Sequence, residues 1–134
     1  MANPWNGQLP ELTISTNDVP PAPKTEAERR KTYPMFSGLL AYFPDALAEV
    51  AHLSQTGNDQ HNPGRPLHWD RSKSKDQLDA LTRHLKDHAI APFDKDGERH
   101  LTKVAWRALA ELQLTLEREV TLEREGQALK PATK

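Results

Sequence analysis

The sequence predicts an all-α fold, and two observations carry this prediction. Apolar residues recur three and four positions apart in three segments, which is the spacing that places side chains on one face of a helix. The alternation typical of a strand is weak and confined to residues 12–16, where a short edge strand is the alternative. A chain of 134 residues has room for one domain.

Residues 1–32 are predicted to form an extended or disordered arm. Prolines recur there among Thr, Ser and Asn, and the apolar residues show no sustained period. The helical domain is expected to span residues 33–126, and a disordered tail is expected over residues 127–134.

The first helix of this domain is predicted to begin at Pro44, because proline suits the first helical position, and to stop at Gly57-Asn58. The residues that follow, up to Trp69, are rich in Gly, Pro and Asn. They also carry polar side chains able to bind a ligand, so the segment is interpreted as a loop with a chemical role.

The second helix is predicted over about residues 75–88, with Ser74 as its N-terminal cap. Its buried stripe is expected to consist of leucines at helical spacing: Leu78, Leu81 and Leu85. The third helix begins near Glu98 and continues to Gly126, which makes it the longest element, at about eight turns.

The composition limits the classes of function. Hydrophobic residues make up 36% of the chain and the mean hydropathy is −0.79, so self-association is expected to complete the small core of one subunit. The formal net charge of −1 argues against a nucleic acid partner. Cysteine is absent, which excludes disulfides, thiolate zinc sites and a cysteine nucleophile. With no leader or membrane-spanning run evident, the cytoplasm is the expected location.

Two helical faces carry the residues expected to bind metal. Glu49 and His52 lie one turn apart on the first helix, and Asp76 and Asp79 have the same spacing near the start of the second. Antiparallel packing of the two helices would aim these four side chains at a shared cation. Carboxylate ligands favour Mg²⁺, with Mn²⁺ as the alternative.

A second group of side chains surrounds the loop. Asn58 and Trp69 are the candidates for contacting a base, because an amide can read base edges and an indole can stack on a purine. Lys73, Lys75 and Arg83 are the candidates for neutralising the charge of a triphosphate.

Several short motifs follow one another between residues 33 and 119. They are Ala46-Leu-Ala-Glu-Val50, Gly57-Asn-Asp-Gln-His-Asn-Pro-Gly64, His68-Trp69, Lys73-Ser74, Asp79-Ala-Leu-Thr-Arg-His-Leu85, Asp94-Lys-Asp-Gly97, Arg99-His-Leu101 and Val104-Ala-Trp-Arg-Ala-Leu109. In this order they resemble the phage and prophage dATP/dGTP diphosphohydrolase family. Through that family the chain is also similar to the MazG-type all-α nucleotide pyrophosphohydrolases.

The resemblance implies a MazG-like helical bundle, a homodimer or homotetramer, and metal-dependent hydrolysis of dGTP or dATP to the monophosphate and pyrophosphate. It further implies a role in phage nucleotide metabolism that supports DNA containing 2-aminoadenine, in the host cytoplasm. The MazG metal motif, Glu-Glu-x-x-Glu followed by Glu-x-x-Asp, falls on Ala48, Glu49, His52, Asp76 and Asp79. Only Glu49 and Asp79 keep the residue type of the motif, so these two are expected to be catalytic.

Two alternatives remain open on the sequence. A histidine-rich, HD-like metal phosphohydrolase would use His84, His100 and Asp96, would favour Mn²⁺ or Fe²⁺, and would release triphosphate or phosphate. A helical nucleotide-binding or assembly module would bind a nucleotide without converting it to products.

Overall fold

The computed structural model describes Pro21 and residues 25–129, with side chains described as far as residue 126. Within these ranges every regular element is helical. The elements are α1 (Glu26–Lys31), a π-helical turn (Phe36–Leu40), α2 (Pro44–His61), α3 (Gln77–Ile90) and α4 (His100–Leu129). The predicted all-α class is confirmed. The alternative edge strand at residues 12–16 lies outside the described residues.

Helix α1 lies within the segment predicted to be an extended arm, and its N-terminal capping explains why a helix forms there. Thr25 Oγ1 accepts a hydrogen bond from Glu28 N at 3.1 Å, and Glu28 Oε2 accepts one from Thr25 N at 2.9 Å. This reciprocal capping box satisfies amide groups at the start of the helix. An ion pair between Glu26 and Arg29 at 2.7 Å spans the same turn.

Helix α2 begins at Pro44 as predicted, but the predicted stop at Gly57-Asn58 is wrong, because the helix continues to His61. Gly57 has no positive φ, and the buried side chain of Asn58 bonds to the following loop without interrupting the helix. Pro63 comes immediately after the capping residue and cannot continue a helix.

Helix α3 begins at Gln77 with Asp76 as its capping residue, so the predicted cap at Ser74 is wrong. The carbonyl of Ser74 instead accepts a hydrogen bond from Gln77 Nε2 at 3.4 Å. Helix α3 ends at Ile90, shortly after the predicted end near residue 88.

Helix α4 starts at His100 because the chain between Pro92 and His100 folds back on itself. His100 N donates to Pro92 O at 3.0 Å, and Asp94 N donates to Glu98 O at 2.8 Å. Gly97, with φ of +84°, supplies the reversal. Once begun, α4 continues past Gly126, where the sequence predicted its end.

Helix α4 is the central element, because both α3 and α2 pack against it. Arg107 Nη1 on α4 donates to the buried Gln77 Oε1 on α3 at 3.0 Å. Trp106 Nε1 donates to Ser54 Oγ on α2 at 2.9 Å. These bonds fix both neighbouring helices at the same level of α4. The buried apolar residues of the described chain are small: Ala80 and Ala110.

The leucine stripe predicted for α3 is not buried within one chain. Leu78 is 62% exposed and Leu85 is 51% exposed. A second row of exposed leucines follows one face of α4: Leu109, Leu112 and Leu116. Exposed apolar rows of this kind are typical of contact surfaces. Despite these leucines, none of the described helices combines the length and apolar character needed to cross a lipid bilayer.

Candidate active site

A cavity of about 500 Å³ lies between the end of α2, the loop of residues 62–76 and the first turns of α4. Its volume is within the range of pockets that enclose small molecules, about 300–1,000 Å³. The wall combines indoles, cations, an amide and imidazoles, among them Asn58, His68, Trp69, Lys73, Lys103 and Trp106. Three carboxylates, Asp70, Asp96 and Glu98, line it as well, so the cavity offers a ligand aromatic surface and charges of both signs.

Asn58 shapes this cavity by holding the loop against the end of α2. Its Nδ2 donates to Arg65 O at 3.0 Å, and its Oδ1 accepts from His68 N at 3.3 Å. The residue is only 5% exposed, and a buried amide needs such partners to offset its lost hydration. The side chain predicted to contact a base thus positions the loop that carries His68 and Trp69.

Trp69 is fixed in the cavity wall by two neighbours. Its ring meets Trp106 edge to face, with the ring centroids 5.8 Å apart and an interplanar angle of 77°. The guanidinium of Arg71 lies over the Trp69 ring, 4.3 Å from its centroid. Arg71 is in turn paired with Glu117 on α4 at 2.9 Å. The indole is therefore held in place before any ligand arrives.

Beside the cavity, α3, the turn that follows it and the start of α4 bring together two imidazoles and a carboxylate. We refer to His84, Asp94 and His100 as the His84 cluster. His84 lines the cavity, and its Nδ1 lies 3.1 Å from Nδ1 of His100. Nitrogen or oxygen atoms of all three side chains lie within 4.8 Å of one another. Among the residues that the structure describes, no other group of three His, Asp or Glu side chains is close enough to hold a metal ion.

Lys103 pairs with two carboxylates at this position. Its Nζ donates to Asp94 Oδ2 at 2.7 Å and to Asp96 Oδ2 at 2.6 Å. The hydrogen bond from Lys103, together with that from the backbone amide of Lys95, holds the pKa of Asp94 at about 2. Burial pulls the pKa of Lys103 down, but the two hydrogen bonds outweigh burial and leave that pKa raised. Asp94 and Lys103 are therefore both charged at neutral pH.

The surroundings of His84 disfavour the protonated form of its imidazole. Burial and then the nearby charge of Lys103 lower its pKa below the ordinary 6.5, although Asp94 acts in the opposite direction. The Nδ1 atoms of His84 and His100 lie 3.1 Å apart, which leaves two arrangements available. Either one ring donates to the other, or both present lone pairs to a shared cation.

Three of the five side chains predicted to bind substrate line the cavity: Asn58, Trp69 and Lys73. The other two, Lys75 and Arg83, lie outside its wall. Arg83 is paired with Asp76 at 3.0 Å, and both side chains are exposed. This pairing lowers the pKa of Asp76 and partly neutralises the cation that was predicted to contact phosphate.

The four predicted metal ligands do not converge within the described part of one chain. Glu49 and His52 are exposed on α2, and Asp79 is exposed on α3. The sequence interpretation assumed that α2 and α3 face each other, whereas each packs against α4. Metal binding by Glu49, His52, Asp76 and Asp79 stays a prediction, which requires a second subunit or a bound substrate to bring the ligands together.

The sequence interpretation named His84 and His100 in its histidine-rich alternative but joined Asp96 to them, and in the structure Asp94 takes that place. The chain pairs Phe93 with Arg99 across the turn, which returns Asp94 to the side of His100. The sequence contains a signal for this contact, because Asp94-Lys-Asp-Gly97 predicts a tight turn. The backbone pairs across it, Phe93 with Arg99 and Asp94 with Glu98, are centred on Asp96.

Residues 22–124 match the model of a protein family described as dATP/dGTP diphosphohydrolase, N-terminal. The chain belongs to this family. The match includes the loop, the cavity wall and the whole His84 cluster. Membership of the dATP/dGTP diphosphohydrolase family confirms the resemblance and the predicted enzyme class, a nucleoside triphosphate diphosphohydrolase. Comparison with curated proteins and with solved structures gave no match.

Proposed function

We propose that this diphosphohydrolase binds dATP or dGTP in the 500 Å³ cavity and hydrolyses it, with a divalent metal ion, to the monophosphate and pyrophosphate. The observation that carries the proposal is that one cavity wall combines a fixed indole, lysine side chains and the imidazole of His84. The indole can stack on a purine, the lysines can pair with a triphosphate, and the imidazole can bind a metal ion.

In this proposal the purine lies against Trp69 and the phosphates lie near Lys73. Stacking of a base on an aromatic ring contributes about 1–3 kcal/mol, and a ring already held by Trp106 and Arg71 loses little freedom on binding. Lys73 supplies an ammonium group for the phosphate oxygens. Lys75 and Arg83 remain proposals for contacting the pyrophosphate from outside the cavity wall.

The reaction is attack of water on the α-phosphorus, with cleavage of the bond from that phosphorus to the oxygen that bridges to the β-phosphate. Pyrophosphate leaves with the electron pair of that bond. A bound divalent ion supplies charge neutralisation and a lower pKa for the attacking water. The chain itself positions the purine and pairs the charge that develops on the leaving group.

Two sets of residues are candidates for holding the ion during turnover. One is the set predicted from the sequence, with Glu49 and Asp79 as catalytic ligands and with His52 and Asp76 assisting. Its carboxylates suit Mg²⁺ or Mn²⁺. The other is the His84 cluster, which one chain assembles by itself. We favour the cluster because His84 also lines the cavity.

Product analysis tests the reaction. Each of the four common deoxynucleoside triphosphates is incubated with the protein and Mg²⁺ or Mn²⁺, and products are separated by ion-exchange chromatography. We expect dAMP or dGMP with intact pyrophosphate, and no turnover in EDTA. Diphosphate with phosphate contradicts the proposal. Nucleoside with triphosphate supports the histidine-rich phosphohydrolase, and binding without turnover supports a binding module.

Assembly into a homodimer or homotetramer is part of the proposal. The support for it is the exposed leucine row on α4, whose members Leu109, Leu112 and Leu116 are 48%, 56% and 48% exposed. We expect light scattering to give two or four times the 15.1 kDa of one chain, and Leu112→Glu to shift the protein towards the monomer. Gln113→Glu adds the same charge at the next residue and should leave the mass unchanged. A monomeric unmodified protein contradicts this part of the proposal.

The biological setting is proposed from the sequence resemblance alone. The proposed setting is phage nucleotide metabolism in the host cytoplasm, where dGMP would feed synthesis of DNA that contains 2-aminoadenine. In that setting the product assay should show dGTP consumed at least as fast as dATP.

A further inference from the structure

We propose that the His84 cluster binds one transition-metal ion of the Co²⁺ or Zn²⁺ type, and binds it more tightly than Mg²⁺. The proposal concerns metal binding by the protein alone. It rests on the cluster favoured in the proposed function and is tested without nucleotide, so failure of metal binding here can be distinguished from failure of the reaction, for which a second set of ligands is a candidate.

The separation of the two imidazoles fits shared coordination. Nitrogen ligands lie about 2.0–2.1 Å from a Zn²⁺-like ion, so two of them at octahedral to tetrahedral angles are about 2.8–3.4 Å apart. The observed separation of the two Nδ1 atoms is 3.1 Å. A hydrogen bond between the rings has a similar length, but Asp94 offers a carboxylate oxygen within 4.8 Å of imidazole nitrogens of both rings, which provides a third ligand with a negative charge.

The ligands are held by packed elements and not by a long flexible loop. His100 is the first residue of α4, is 5% exposed, and donates its backbone amide to Pro92 O at 3.0 Å. His84 is in the middle of α3, which packs along α4. A site whose ligands are fixed in advance loses less conformational freedom when an ion binds.

The charge around the cluster favours a cation even though Lys103 is present. The carboxylates of Asp94 and Asp96 share the single ammonium group of Lys103, so the carboxylates outnumber the cation that pairs with them. A divalent ion would compete with Lys103 for Asp94, whose oxygen is 2.7 Å from Nζ. The cluster is therefore a site of moderate charge, in which ligand type contributes much of the selectivity.

Ligand type separates the metals. Imidazole nitrogen suits Zn²⁺, Co²⁺ and Ni²⁺, whereas Mg²⁺ prefers oxygen ligands and retains its water. Two of the three ligands in the cluster are imidazoles, His84 and His100. The predicted set of Glu49, His52, Asp76 and Asp79 has three carboxylates and one imidazole, so the two candidate sites differ in the metal that they should select.

The test uses Co²⁺ alone, because its visible absorption reports nitrogen coordination directly. Protein without a polyhistidine tag is titrated with Co²⁺, and we expect saturation at one ion per chain. A tenfold excess of Mg²⁺ should leave the absorption bands in place. His84→Gln and His100→Gln should each weaken binding by about tenfold or more. The matched control is His88→Gln, which removes another imidazole of α3 that lies outside the cavity wall and outside the cluster. His52→Gln tests the alternative set on α2 and α3.

A variant of the carboxylate ligand keeps the test decisive if His100→Gln fails to fold. Asp94→Asn should weaken Co²⁺ binding. Asp87→Asn should not, because Asp87 lies on α3 but outside the cluster. Circular dichroism of each variant establishes that it is folded. Unchanged Co²⁺ bands in folded His84→Gln and Asp94→Asn overturn the proposal, as does displacement of Co²⁺ by an equal concentration of Mg²⁺. If the Co²⁺ bands are lost in His52→Gln but kept in His84→Gln and Asp94→Asn, the proposal is overturned in favour of the set that includes Glu49 and Asp79.

Discussion

His84→Gln is expected to lower the turnover of dATP and dGTP by about 100-fold or more at saturating substrate. The substitution removes one of the two imidazoles of the His84 cluster and the member of that cluster that lines the cavity. Glutamine preserves much of the size and polarity of the side chain, so helical circular dichroism should be unchanged. Steady-state kinetics with Mn²⁺ measures the effect.

The same assay compares the two candidate metal sites. Glu49→Gln and Asp79→Asn remove the catalytic ligands predicted from the sequence, and both side chains are exposed, so neither change should unfold the protein. We expect each to reduce turnover much less than His84→Gln does. Near-complete loss in both, with His84→Gln close to the unmodified rate, would place the reacting ion between α2 and α3 of an assembled oligomer.

Trp69→Ala is expected to raise the KM for dATP and dGTP by about tenfold or more, because it removes the ring proposed to stack on the purine. It also removes the partner of Trp106 and Arg71, so the loop loses part of its attachment to α4. Trp69→Phe keeps an aromatic face and should recover part of the affinity. Steady-state kinetics under one metal condition gives KM and kcat for each variant.

Tyr42→Ala is the matched control for this prediction, since Tyr42 is 70% exposed and lies outside the cavity wall. Its removal should leave the KM for both nucleotides unchanged. A Trp69→Ala enzyme with unchanged KM would mean that the purine does not stack on this indole. A fall in kcat with constant KM would instead assign Trp69 to the geometry of the reacting groups.

The helices were predictable because their signals are local, whereas some of their ends depend on contacts made elsewhere. Pro44 marks the start of α2 by its own covalent structure. Gly57-Asn58 reads as a stop, yet Asn58 uses its side chain to bond Arg65 and His68 and stays helical. The capping box between Thr25 and Glu28 is present in the sequence, but the helix that it starts has only six residues and follows a proline-rich segment, so its periodic signal is weak.

The candidate site was predictable only in part, because spacing shows which residues share a face but not which faces meet. Trp69 and Lys73 were found from the composition of the loop, and both line the cavity. The pairing of Glu49 with Asp79 depended on contact between α2 and α3, while each of these helices packs against α4. The His84 cluster joins residues separated by a turn, so its membership depended on how that turn closes.

The most direct test of the central claim is a crystal structure of the enzyme with Mn²⁺ and a dGTP analogue that has a methylene group between the α- and β-phosphorus atoms. The account predicts the purine against the Trp69 ring, the phosphates beside Lys73 and the ion coordinated by His84. An analogue bound on the outer faces of α2 and α3, with the cavity between the loop and α4 free of nucleotide, would contradict it.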